Sequence, residues 1–396
     1  MGDATTTRRT AEPDSAQAWL VVAATFLATF TVFGIVYSFG AFFRSMADTF
    51  GTGSAVTALM FSITTAWYFG VGVFSGRITD RIGPRPVLVL SAFLLAGGLI
   101  ATSRAGSIWI GFVTYALGVG SAVGCAYVPM VSTVGAWFVR RRTAALGVSV
   151  AGIGVGTLLF SPLAARLIDA YGWRTAYVIL GVVGGLLLLV ASLGARRPPI
   201  DVNQEMPDLR TTVRSRGFVV LYVANFLVST SLFVPFVFIK EYAVGRGIPA
   251  ERGALLVGII GASSIIGRLG LGTLGARLGS TRLMQLSFAA LGLSFLIWLG
   301  AGSSFALLVV YSVVMGVGYG GFIALAPAVS AQIFGVRGLG VVLGLLYTAA
   351  GIGGLIGPPL AGWLIDSSGY PTAIITAMVI ALAATVSLSA LPRSAD

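Results

Sequence analysis

Apolar stretches of roughly 20 residues recur along the whole chain, from Trp19 to Leu391, with only short polar segments between them. Each is long enough to cross a hydrocarbon layer of about 30 Å as a helix. With 57% of its 396 residues hydrophobic and 10% charged, the chain could not shelter its apolar surface in a water-soluble core. The runs fall at 18–43, 54–75, 86–103, 107–135, 144–168 and 174–194, then at 218–240, 253–275, 282–301, 304–333, 339–365 and 372–391. The expected fold is therefore an all-α polytopic membrane protein of twelve transmembrane helices.

Arginine-rich loops stay on the cytoplasmic side of a membrane. If the N-terminus is cytoplasmic, one set of loops holds seventeen of the twenty-five basic residues, including Arg77, Arg81, Arg85 and the run Arg140, Arg141, Arg142. The opposite side and its helix ends hold seven, and Arg268 lies inside a helix. Both termini are expected in the cytoplasm, with the chain in the cell inner membrane. The net charge of +12 then reports sidedness rather than nucleic-acid binding. The run from Trp19 is too long for a cleaved signal and reads as a retained first helix. A single cysteine, Cys125, excludes an internal disulfide, and the lack of any histidine leaves no metal cluster and no cofactor to expect.

The second half repeats the first. Gly118, Val119, Gly120, Ala126, Pro129, Val131 and Ser132 recur 198 positions later as Gly316, Val317, Gly318, Ala324, Pro327, Val329 and Ser330. Ala151 to Gly154, Pro162 and Asp169 recur as Ala350 to Gly353, Pro359 and Asp366, and Gly76, Arg81 and Gly83 as Gly272, Arg277 and Gly279. The longest polar interval, 195–217, carries eight charged residues and separates the copies. The division is thus a tail 1–17, a six-helix bundle 18–194, a cytoplasmic linker 195–217, a second bundle 218–391 and a tail 392–396. Two parallel copies imply a pseudo-twofold axis along the membrane normal, a solute site on it near the midplane, and alternating access by rocking of the halves. The 54 glycines let helix backbones approach closely where lipid removes the hydrophobic drive.

Arg268 is the only charged residue well inside an expected span, where such a residue costs about 2.5 to 3.5 kcal/mol to insert. Its planar fork matches a carboxylate with two hydrogen bonds. The alternative is an arginine that reaches the interface or bonds helix carbonyls. An intramembrane enzyme would need a nucleophile with a base, or a metal site, and neither is present. Gly270 to Gly275 spells the dinucleotide pattern, but no strand precedes it, so no nucleotide site is expected.

Gly76-Arg77-Ile78-Thr79-Asp80-Arg81-Ile82-Gly83-Pro84-Arg85, between helices 2 and 3, resembles the cytoplasmic loop signature of the major facilitator superfamily. Gly83 with Pro84 makes the tight turn, and Asp80 can face a helix N-terminus or a neighbouring arginine. Within that superfamily the chain resembles the monocarboxylate porter family and its bacterial relatives, including oxalate/formate-type antiporters. The resemblance rests on Asp14 and Trp19 before helix 1, on Trp137 to Gly147 entering helix 5, on Gly172-Trp173-Arg174, and on Leu232 to Phe238 with Tyr242 in helix 7. It places Arg268 where the family has its substrate arginine, and it puts Tyr37, Tyr127, Tyr319 and Tyr347 on cavity-lining helices, with Asn225 a weaker candidate. Animal members have a lysine where this chain has Tyr37 and an aspartate where it has Ser264. Without either, a proton would travel on the substrate carboxylate or on an end residue such as Asp48 or Glu241.

The resemblance implies a secondary carrier for a small organic anion, a monocarboxylate of the lactate or pyruvate type, with protons as coupling ion, working as a monomer in the lipid bilayer. The competing expectation is an efflux carrier for a larger apolar or amphipathic compound.

Overall fold

The computed structural model describes residues 12–198, 209–335 and 339–391. Residues 1–11 and 392–396 of the expected tails and 199–208 of the expected linker lie outside the described residues. Among the described residues, eleven continuous helices are long and apolar enough to cross a membrane. One of them, Arg142–Gly194, holds two spans. Gly172 inside it has φ 77°, a turn that glycine adopts without the steric penalty of a side chain.

The twelve membrane helices are α1 (Ala16–Phe50), α2 (Ser54–Ile82), α3 (Pro84–Ser103), α4 (Ile108–Trp137), α5 (142–171), α6 (173–194), α7 (Arg216–Gly245), α8 (Ala250–Leu278), α9 (Ser280–Ala301), α10 (Phe305–Phe334), α11 (Leu339–Ser368) and α12 (Tyr370–Ser387). No strand is found among the described residues. Phe74, Phe93, Trp109 and Val386 project outward, each more than three-fifths exposed, as side chains facing lipid do.

The repeat is visible in the backbone. Gly83 and Gly279 turn at φ 91° and 89°, Gly172 and Gly369 at 77° and 84°, Gly51 and Gly247 at 63° and 81°. Both α1 and α7 are interrupted at equivalent points, Ser38 and Phe233. In α7 the cause is Pro235, which removes a backbone donor.

α1, α2 and α7 run beyond their apolar stretches. In α2 the extension makes Gly76, Asp80 and Arg81 helical, and only Gly83 turns before Pro84 starts α3. Arg197 donates to the Arg81 carbonyl at 2.9 Å, and its side chain fills the space beside Gly83. Asp80 and Arg85 are exposed, and no ion pair of Asp80 is found among the described residues. In α7 the extension carries Lys240 and Glu241 into the helix with side chains only 10% and 12% exposed. Arg268 is therefore not the only charge buried in a span, since Lys240 is buried too and the Glu241 carboxylate beside it is largely covered.

Asp14 and Trp19 act as a clasp. The Asp14 carboxylate accepts from the backbone N–H groups of Val139, Arg140 and Arg141 at 3.3, 3.1 and 3.2 Å, and the Asp14 N–H donates to the Trp137 carbonyl. These bonds, that from Arg140 foremost, hold the carboxyl below its ordinary range. The Trp19 ring meets Phe138 edge-on at 5.2 Å.

Candidate functional site

The two halves meet along glycine seams. On the α5–α8 seam a side chain at Gly154 would strike the Gly261 carbonyl and Ile265, and one at Gly261 would strike Thr157. Inside the second half, α8 and α10 touch backbone to backbone, Gly267 against Val317 and Gly320 against Ser264. Small residues at these crossings remove the spacing that side chains impose. They bring Arg268, next to Gly267, against both α5 and α10.

Between the halves lies a cavity of about 30 Å³, the room of about two waters. Tyr37, Tyr127, Tyr319 and Tyr347 all line it, so α1, α4, α10 and α11 each supply one. Tyr37 ends the first segment of α1, stacks on Phe236 at 4.4 Å and pairs with the Tyr319 hydroxyl at 3.4 Å. Tyr127 sits where α4 is broken, just before Val128 and Pro129, and meets Phe33 edge-on at 5.0 Å. Tyr319 is flanked by Gly318, Gly320 and Gly321, which hold it in the seam.

Arg268 stands beside this cavity rather than in its lining. Its guanidinium carbon lies 5.4 Å from the Tyr319 ring centroid, within cation–π range, and its charge also reaches Tyr127 and Tyr347. The residue is 5% exposed. Nη1 donates across the halves to the Val150 carbonyl on α5, while Nε and Nη2 are buried with no partner. Both sequence alternatives are thus partly realised, since one nitrogen bonds a helix carbonyl and two remain free. Nε and Nη2 form one edge of the fork, the edge that can take both oxygens of a carboxylate.

Nine of the fourteen lining residues are aromatic and none is charged, so the cavity favours an apolar body and offers no counter-charge to a solute ammonium. Asn225 is buried but does not line it. Two of the hydroxyl-bearing lining residues escaped the sequence reading, Tyr68 on α2 and Ser229 on α7, as did the apolar rest of the wall. The repeat offered a signal for the first, since the offset of 196 that pairs Gly76 with Gly272 pairs Tyr68 with Ser264, one turn before Arg268.

On the side away from the termini the halves are sealed. Tyr37 on Phe236, Phe43 against Phe238 at 5.2 Å and Phe61 against Phe233 at 6.0 Å close the path with rings. Lys240 donates to the Ala41 carbonyl at 2.9 Å, Asp366 accepts from the Ser54 N–H at 2.9 Å, and Arg166 pairs with Glu251.

Twelve helices in two repeated sets of six, glycine-seamed around a central cavity, define a transporter of the major facilitator type. The family profile described as Major Facilitator Superfamily matches residues 25–302 and 271–395. The chain is 32% identical over 387 residues to monocarboxylate transporter 3 of Rattus norvegicus, covering 93% of this chain and 78% of that protein. Monocarboxylate transporter 13 of the same organism is 29% identical over 395 residues, with 97% and 91% coverage. A solved bacterial homolog of the human lysosomal transporter Spinster, inward-facing, shares the fold at a TM-score of 0.75 and 15% identity, over 95% of this chain and 98% of that one. The chain belongs to the Major Facilitator Superfamily and, within it, to the monocarboxylate transporter family; it is a multi-pass membrane transporter and not an enzyme.

Proposed function

We propose that the chain carries a small organic anion, a monocarboxylate, across the cell inner membrane by alternating access, with both termini in the cytoplasm. The carrying observation is the buried Arg268 guanidinium, with Nε and Nη2 unpartnered beside a cavity whose lining holds no charge. Arg268 receives the carboxylate, while Tyr37, Tyr127, Tyr319 and Tyr347 shape the space for the rest of the solute. The bundles 18–194 and 218–391 move as units, and the rings and polar pairs on the sealed side part when the site opens outward. The names of the relatives support the same solute class.

Proton symport belongs to this reading. Ser264 provides no carboxylate beside Arg268, so the proton travels on the solute's own carboxyl or through Glu241, a carboxylate in α7 whose side chain is only 12% exposed. The loop residues Gly76, Asp80, Arg81, Gly83 and Arg85 serve the conformational change at the face carrying the termini. Uptake of radiolabelled lactate, pyruvate and oxalate into proteoliposomes, with an inward proton gradient on or off, tests the whole. Gradient-driven uptake of one acid is expected. Uptake of none, with transport of an apolar dye instead, would replace this reading with the efflux carrier that the aromatic lining also suits.

A further inference from the structure

The start of α2, on the sealed side, has no capping side chain of its own. Its N-cap is Gly53, and no acidic residue stands in its first turn. The first backbone N–H groups of any helix lack intrahelical acceptors. Here the acceptor comes from the other half. Asp366, near the end of α11, takes the Ser54 N–H at 2.9 Å and the Ala55 N–H at 3.4 Å through one carboxylate oxygen. Two glycines make room for it. A side-chain carbon at Gly53 would lie 3.0 Å from that same oxygen, and one at Gly362, a turn before Asp366, would come within 2.7 Å of the Ser54 and Ala55 backbone.

The repeat supplies a comparison within the molecule. Asp169 on α5 is the counterpart of Asp366, and the start of α8, with Pro249 as N-cap, is the counterpart of the start of α2. Among the described residues Asp169 caps nothing, although it too is exposed at the end of its span. α8 has an acid of its own in the first turn, Glu251, which pairs with Arg166 of α5. A carboxylate already at that N-terminus satisfies the helix dipole and repels a second one. The two crossings are therefore unequal. α5 meets α8 through two long exposed side chains, a pairing that contributes little. α11 meets α2 through a carboxylate set on two backbone donors at the positive end of a helix, where both the bonds and the charge are favourable.

We propose that Asp366 is the lock of the sealed side, capping α2 across the halves only while that side is shut and letting go when it opens, and that its repeat counterpart Asp169 has no such part. The inference rests on the alternating access proposed above, because a lock requires a face that opens. It makes the α2–α11 crossing the one whose polar contacts set how often the seal parts.

The test is the rate at which a hydrophilic maleimide labels a single cysteine within the seal, Phe43→Cys in a Cys125→Ala background, in the purified protein. Phe43 is 4% exposed and sits against Phe238, so its labelling counts openings of this side. Asp366→Ala should raise the rate about three- to tenfold, while Asp169→Ala should stay within about twofold of the background. Asp366→Asn keeps an acceptor over the two N–H groups and should hold the rate near the background. An Asp366→Ala rate within about twofold of the background, an equal rise in Asp169→Ala, or an Asp366→Asn rate as fast as that of Asp366→Ala overturns the lock, while labelling of the background shows that the side still opens. A cysteine that reacts only after denaturation in every variant overturns the alternating access itself, and the lock with it.

Discussion

Gly320→Ala probes the seam that positions Arg268. A side-chain carbon at Gly320 would overlap the Ser264 carbonyl, a backbone atom that no rotamer change can move. Ordinary carbon–oxygen contact requires α8 and α10 to part by about 1.5 Å. Overpacking of this kind costs about 1–3 kcal/mol, against about 0.5–1 kcal/mol that alanine returns over glycine within a helix. Gly70→Ala is the reference, because Gly70 lies on α2 with nothing within 4 Å of its side-chain direction. The difference between the two variants isolates the overpacking cost, so Gly320→Ala should be less stable than Gly70→Ala by about 1–3 kcal/mol in unfolding of the purified protein in one detergent. Carboxylate affinity should fall with it, since parting the helices lifts the guanidinium from Tyr319. A Gly320→Ala protein as stable as Gly70→Ala would refute the seam as the device that sets Arg268.

Other positions give sharper contrasts. Arg166→Gln should change stability by less than about 1 kcal/mol, because Arg166 and Glu251 are 69% and 50% exposed. Lys240→Met should cost about 3–5 kcal/mol by stranding Glu241, and adding Glu241→Gln should recover much of it; Lys240→Met unfolding like Arg166→Gln would contradict the buried pairing. Asp14→Asn should speed hydrogen exchange at the Val139, Arg140 and Arg141 amides without changing global unfolding. The Asp14 carboxyl is held below its ordinary value of 3.8, so its contribution is complete above about pH 4 and is lost as the pH falls through that lowered value. Unchanged exchange in the variant or in acid would remove the clasp.

The helices were legible because apolar runs of membrane length admit few other solutions, and the repeat was legible because its glycines and prolines mark turns and crossings. Gly83, Gly172 and their partners Gly279 and Gly369 turn the chain where the sequence placed the breaks. The ends of α2 and α7 were not legible, because backbone hydrogen bonding carries a helix past the point where its side chains stop being apolar. Lys240 and Glu241 were misplaced for that reason. The tyrosines that share the cavity come from helices that the resemblance named, and Arg268 declared itself by its charge. Tyr68 and Ser229 did not, since a tyrosine or serine in an apolar run looks the same whether its hydroxyl bonds the backbone or faces a cavity.

The central claim is that Arg268 holds the carboxylate, and the most direct measurement is the affinity of the purified protein for the monocarboxylate it transports best, in wild type and Arg268→Gln. Truncating one partner of a hydrogen-bonded charge pair costs about 2–5 kcal/mol, so the dissociation constant should rise about thirtyfold or more while the variant still unfolds cooperatively. A folded Arg268→Gln protein that binds the acid as wild type does would contradict the account.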